Sequence, residues 1–281
     1  MVIPIYDVNP VRRTPWVTYG LIVANVLALL FTPVFANMGI GSEAVSDLCH
    51  QTAFFQHYAA IPKELISNTQ LPLVATGAVG RMGNGLGCVV DAPAYTKQPA
   101  LSVLTSMFLH GGWLHLLGNM LFLWVFGNNI EDRFGRIGYL LVYVASGYAA
   151  AYGFALANPD TTEPLIGASG AVSGILGAYL VLFPRARVWS LVPILFFIPL
   201  RLPAWIVLGT WFVLQWLYSA GLAVTGGGEV AYLAHVLGFL VGVLAALPFR
   251  GGRRRPPVPR QATGFVEPPV IWRKTDRGGW R

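Results

Sequence analysis

Six stretches of this chain, roughly residues 16–36, 104–127, 137–157, 166–183, 202–224 and 230–249, are apolar and about the 20 residues that a helix needs to cross a hydrocarbon core of about 30 Å. Lipid offers a backbone no hydrogen-bond partners, so segments of this kind cross a membrane as helices. The rest of the composition agrees: 55% of the 281 residues are hydrophobic and 11% charged, and the mean hydropathy is +0.58, which excludes an ordinary soluble domain. The expected fold class is an all-α polytopic membrane protein, a six-transmembrane-helix bundle occupying one domain, residues 16–249.

The connections carry the remaining signals. Trp189–Leu200 is apolar but about a dozen residues long and holds Pro193 and Pro199, so it is expected to be an interfacial or re-entrant connector. Residues 37–100 form one long loop, with a helix-like stretch at Phe54–Ile66. Residues 250–281 are rich in Arg, Pro and Gly and are expected to be a disordered tail. Residues 1–15 lack the short apolar core of a cleaved signal. Cytoplasmic loops retain Lys and Arg, and placing both termini inside puts sixteen of the nineteen basic residues there, leaving Lys63, Arg81 and Lys97 in the outer loop. The net charge of +7 is then mainly a topology signal, and the basic tail suits anionic membrane lipids. No nucleic-acid-binding motif accompanies it, so no nucleic acid partner is expected.

Cys49 and Cys88 both fall in the outer loop, where a disulfide is open to them. A zinc site from Cys49, His50, His57 and Cys88 fits no standard ligand spacing, and no metal is expected.

Chemistry is suggested by Ser169, within Gly167-Ala168-Ser169-Gly170 at the start of the fourth stretch, and by His235 inside the sixth. An ionisable side chain at membrane depth is costly and marks function, and a hydroxyl beside an imidazole is an activated nucleophile. Read alone, Ser169 is one more small residue in the packing stripe that Gly170 and Gly174 share, with Gly167 just before it. His235 lies on a stripe with Gly238 and Gly242, the surface on which a second small-residue helix would pack. No acidic residue falls within a span at this depth, and Glu229 lies about two turns before His235, so a Ser-His dyad is expected rather than a triad. Acyl transfer also needs donors for an oxyanion, and His115 and Asn119, four apart at the outer end of the second stretch, can offer them. His110 is off that face and is expected to order the loop leading in.

The set His110, His115, Asn119, then Gly167-Ala168-Ser169-Gly170, then Ala234-His235-Val236-Leu237-Gly238, in that order and in those spans, resembles the rhomboid family of intramembrane serine proteases. Glu131 to Gly135 also resembles the family's Glu-x-x-x-Gly element. The resemblance implies cleavage of transmembrane protein substrates in or near their membrane segment, without a cofactor. Ser169 would be the nucleophile and His235 the base, with His115, Asn119 and the Ser169 amide at the oxyanion. Trp205, Trp211, Phe212 and Trp216 of the fifth stretch would form a lateral gate, on the same analogy. Six spans without a seventh resemble bacterial members and imply a bacterial plasma membrane. The chain departs from many members in lacking a Trp-Arg pair in the long loop and in having Ser173 where a tyrosine supports the histidine ring. The alternative is a catalytically idle relative that binds transmembrane clients, which would be expected to lose Ser169 or His235. A transporter would need a polar path through the whole bilayer, whereas these polar groups gather near one face.

Overall fold

Glycine and proline mark several of the points where an apolar stretch becomes helix: Pro15, Gly112 and Pro203 immediately precede α-helices, and none of them caps through a side chain. The computed structural model describes residues 2–34, 42–82, 85–192, 198–221 and 231–250. The tail after Arg250, Pro193 and Glu229 lie outside the described residues. In chain order the elements are β1 (Ile3–Asp7), α1 (Trp16–Phe31), α2 (Ser42–Tyr58), α3 (Pro62–Ser67), β2 (Val74–Met82), β3 (Gly85–Asp91), α4 (Pro99–Ser106) and α5 (Trp113–Ala157). They continue as α6 (Ser169–Leu182), β4 (Arg187–Val192), β5 (Ile198–Pro203), α7 (Ala204–Ser219) and α8 (Tyr232–Ala246).

The chain is mostly helical. By length and apolarity Trp113–Ala157 and Tyr232–Phe249 can cross a membrane, while Trp16–Phe31, Ser169–Leu182 and Ala204–Ser219 are shorter apolar helices. The 45 residues of α5 are divided at Gly135, whose φ of 74° and ψ of 167° are not helical, into segments 113–134 and 136–157. Only glycine takes that conformation without strain. The second apolar stretch was expected to be helical from residue 104, but α4 ends at Ser106 and α5 begins at Trp113, after Gly111-Gly112. The helix-like stretch at 54–66 is also two elements, because Pro62 disfavours helix at Ile61 and instead opens α3.

The expectation of an all-α chain is corrected by five strands among the described residues. The connector Trp189–Leu200 contributes to β4 and β5, which pair antiparallel, and β1 pairs with β4 on the other side. A backbone too short to span still needs hydrogen-bond partners, and a sheet provides them. Pro4, Pro199 and Pro203 sit on the two edge strands, and the central strand β4 has no proline, as the missing amide hydrogen requires. The strands β2 and β3 form a separate two-stranded sheet in the long loop.

At the bundle's centre α6 packs between α8 and the second half of α5. A Cβ on Gly238 would strike the Gly170 carbonyl oxygen, one on Gly242 the Gly174 oxygen, and one on Gly177 the Phe239 oxygen. On the opposite face Gly170 rests against Ala150 and Gly174 against Ser146. The pairs 170/238 and 174/242 advance together, so α6 and α8 run in the same direction.

Buried polar ties fix the end remote from Ser169. The Glu131 carboxylate, 4% exposed, accepts the backbone N–H groups of Val17 (3.0 Å) and Thr18 (2.8 Å) and the Thr18 hydroxyl (2.8 Å), and so caps the otherwise unsatisfied start of α1. Asp7 of β1 accepts the Tyr179 hydroxyl at 2.6 Å and Asn129 Nδ2–H at 2.7 Å. Burial pushes the Asp7 carboxyl from 3.8 up to about 6, against those two hydrogen bonds, which favour the charged form.

Two outcomes are expected. Gly242→Ala places a methyl on the Gly174 backbone and should lower stability in mild detergent by about 1–3 kcal/mol. Gly209→Ala, in α7 with nothing within 4 Å of the added carbon, should be neutral or stabilising by up to about 1 kcal/mol; equal melting shifts would refute the close contact. Because Asp7 binds its proton more readily folded than unfolded, its contribution should favour folding increasingly as pH falls from about 6 toward 4, by at most about 3 kcal/mol. Unfolding titrations of wild type and Asp7→Asn across that range should diverge in that direction, and parallel curves would show that Asp7 is not the group responsible.

Candidate active site

The segment before α6 is held by two partners that are themselves bonded to each other. Leu165 N–H donates to Ala60 O at 2.7 Å in an isolated bridge, Gly167 N–H donates to Ser106 O at 3.0 Å, and the Ser106 hydroxyl accepts Ala60 N–H at 2.5 Å. Gly167 has a φ of 115°, and a Cβ there would stand 2.7 Å from His115 Nε2 and 3.6 Å from Ser169 Oγ. Only glycine permits both the turn and the approach of the two polar atoms. Residues 166–168 therefore belong to a tight turn, and the fourth stretch is helical only from Ser169.

Ser169 is the first residue of α6 and His235 lies in the first turn of α8, so the parallel packing of these helices brings both to the same end of the bundle. Ser169 Oγ is 2.8 Å from His235 Nε2. On the other side of the ring, His235 Nδ1 is 2.6 Å from Gln215 Oε1 of α7. The Trp211 ring lies 6.1 Å from the imidazole and Tyr232 meets it edge-on at 6.4 Å. Ser169 and His235 are both half-buried, open enough to be reached.

The residues of the second stretch divide. His115 is exposed and its Nε2 faces Gly167 and Ser169 across the turn. Asn119 is buried, and its Nδ2 donates to His115 O at 3.2 Å, back along its own helix, with a second amide hydrogen left over. One Asn119 amide hydrogen is thereby committed to its own helix, while the His115 ring faces the turn. His110 is fully buried, its ring 5.0 Å from that of His115, with Nδ1 donating to Phe108 O at 3.2 Å and Nε2 accepting Ala168 N–H at 3.5 Å. It joins the loop before α5 to the turn before Ser169.

Ser173, one turn after Ser169, donates to the Ser169 carbonyl at 2.6 Å and makes no ring contact with His235. The ring's support comes instead from Trp211 and Gln215. Of the four aromatics expected to act together on α7, Trp211 and Phe212 turn inward onto Phe239, at 6.1 and 4.6 Å, whereas Trp205 and Trp216 are more than half exposed. Gln215 was missed by sequence reasoning although a signal existed: it is the one amide in the fifth stretch, and it falls on the buried stripe with Ala204, Leu208 and Trp211.

In the long loop, Cys49 of α2 and Cys88 of β3 are bonded, with sulfurs 2.09 Å apart. Lys97 and Glu64 form a buried ion pair at 2.7 Å, and Lys97 also donates to Gln56 O at 2.7 Å. Burial lowers the Lys97 pKa from its ordinary value, partly offset by Glu64. These ties join α2, α3 and the hairpin into the platform on which residues 165–167 rest.

Residues 97–251, more than half of the chain, match the Rhomboid domain family. The chain belongs to the rhomboid family. Over 149 residues it is 32% identical to "Rhomboid protein 1, mitochondrial" of Saccharomyces cerevisiae, a match covering 51% of this chain and 40% of that protein. It is 33% identical over 173 residues to "RHOMBOID-like protein 6, mitochondrial" of Arabidopsis thaliana (59% and 51%), and 32% identical over 161 residues to "Rhomboid-like protein 11, chloroplastic" of the same plant (53% and 53%). The matched regions cover only about half, or less, of these relatives' lengths. Family membership makes this rhomboid a helical, polytopic membrane protein.

Gly167→Ala in this rhomboid forces a side chain into a left-handed backbone and against His115, and should lower stability by about 1–3 kcal/mol. Gly118→Ala, on α5 with open space around it, is the matched control and should not; equal denaturation midpoints would contradict the turn geometry.

Proposed function

We propose that this protein is an intramembrane serine endopeptidase that cleaves single-pass transmembrane proteins in or near their membrane segment. The observation that carries the reading is the 2.8 Å approach of Ser169 Oγ to His235 Nε2. His235 takes the Ser169 proton as Oγ bonds to the substrate carbonyl carbon, then gives it to the amine as the C–N bond breaks; the same imidazole next deprotonates a water that adds to the acyl carbon, and returns that proton to Oγ as the ester bond breaks. The Ser169 amide at the unsatisfied N-terminus of α6, His115, and the free Asn119 amide hydrogen are the donors we assign to the oxyanion. Asn119 would have to turn from its own helix toward the tetrahedral centre to do so.

The same reading has six transmembrane helices: α1, the two halves of α5, α6, α7 and α8, within a membrane domain of residues 16–249 flanked by residues 1–15 and the tail 250–281. Both ends of that membrane domain face the cytoplasm, on the bias of basic residues. A water-accessible site then lies on the side of the loop platform, just below the outer surface. A substrate helix must unwind to present its carbonyl, which favours small or helix-breaking residues at the cut. No cofactor is required.

A fluorophosphonate probe tests this without a known substrate. Wild type in mild detergent should label, and Ser169→Ala and His235→Ala should fall to background, a loss of about 10³-fold or more. Folded wild type that neither labels nor cleaves a panel of transmembrane substrates would leave the protein as an idle, client-binding rhomboid.

A further inference from the structure

We propose that Gln215 is a positioning residue for His235, fixing the tautomer and orientation of its ring from a neighbouring helix. The inference rests on the reading of Ser169 and His235 as the catalytic pair. Gln215 is 6% exposed, on the buried face of the apolar helix α7 about one turn before its end, where an amide without a partner would be costly. Its Oε1 lies 2.6 Å from His235 Nδ1. An amide oxygen accepts and cannot donate, so Nδ1 carries the hydrogen. The neutral ring then presents the lone pair of Nε2 to Ser169 Oγ, 2.8 Å away, which is the one tautomer able to take the serine proton. The opposite tautomer would point an N–H at the hydroxyl and leave the ring useless as a base.

The contact also strengthens when it matters. Once His235 holds the serine proton, Nδ1–H becomes a charge-assisted donor to Gln215, so the hydrogen bond gains strength between the resting state and the transition state. Trp211, one turn earlier on the same buried stripe, lies against the ring and limits its rotation. Among the described residues, the hydrogen-bond partners of the imidazole are Ser169 and Gln215, and neither is acidic. Gln215 thus occupies the place that a carboxylate takes in a Ser-His-Asp triad, without adding a buried charge.

The test is fluorophosphonate labelling of the full chain, with the maximal rate and the half-saturating concentration of the probe measured separately. Gln215→Met keeps the side chain's length and removes the acceptor; Gln215→Glu keeps an acceptor oxygen whether or not it is protonated. The expected result is a fall of about 10- to 100-fold in the maximal rate for Gln215→Met, with half-saturation and melting temperature near wild type, and substantial recovery in Gln215→Glu. If Gln215→Met does not fold, Gln215→Asn, which withdraws the oxygen by about one bond, takes its place. Wild-type labelling rates in the acceptor-deficient variant, equal losses in both variants, or a change confined to half-saturation would overturn the proposal while leaving the dyad intact. Wild type that does not label at all would overturn the dyad and this inference with it.

Discussion

The contact on which the rest of the structure depends is that between the backbones of α6 and α8. Gly238 lies on the Gly170 carbonyl and Gly242 on the Gly174 carbonyl, with no side chain between them. Lipid gives helices no hydrophobic reason to associate, so dispersion between closely fitted surfaces must hold them, and a gap of about 0.5–1 Å already forfeits a quarter to a half of that attraction. The register of these pairs also determines the site. Ser169 and His235 lie immediately beyond the Gly170/Gly238 pair, toward the helix starts, and the distance between their polar atoms follows from the separation of the helix axes. Any residue that pushed the helices apart would separate Oγ from Nε2 before it touched either one.

Close packing alone would leave a bundle free to slide, and polar ties at its two ends oppose that. At one end Glu131 caps α1 and Asp7 joins the small sheet to Asn129 and Tyr179. Tyr179 is ten residues along α6 from Ser169, about 15 Å, so this anchoring is remote from the candidate site. At the other end, the disulfide between Cys49 and Cys88, the Lys97–Glu64 pair and the Ala60–Leu165 bridge steady the turn that introduces Ser169. The turn is built of irregular backbone, and its amides find partners in Ser106 and Ala60 rather than in lipid, as irregular backbone beside a membrane must.

The helices were legible because a membrane-crossing helix is written in hydropathy over some twenty residues, a signal that single substitutions cannot hide. Their ends were less so: residues 104–112 are apolar enough to read as helix, but the Gly111-Gly112 pair and the separate α4 shift the true start to Trp113. The sheet of β1, β4 and β5 was missed because β1 lies far in sequence from its partner β4, and because β1 and β5 carry prolines, which argue locally against strands and are tolerated at sheet edges. Ser169 and His235 were singled out by being polar in apolar stretches beside glycine stripes. By that criterion Gln215 was equally visible, yet its meaning depended on which face of α7 turned toward α8. His115 and Asn119 share a helical face, but helical spacing says nothing of side-chain rotamer, and the Asn119 amide is turned along its own helix.

A neutral amide behind the histidine suits the position of the pair. Ser169 and His235 both sit in the first turn of a helix, where unsatisfied amides create positive potential. On the proposed mechanism that potential favours the oxyanion but opposes the imidazolium that forms beside it. A carboxylate would offset the second effect at the cost of a buried charge in a low-dielectric setting whenever the histidine is neutral. The carbonyl dipole of Gln215 offsets it in part, carries no net charge, and fixes the tautomer as well. Because that carbonyl rides on α7, the histidine is held in its working orientation only while α7 rests against α8, where Trp211 and Phe212 pack on Phe239. On the proposed mechanism, the seating of one helix and the readiness of the base are the same structural condition.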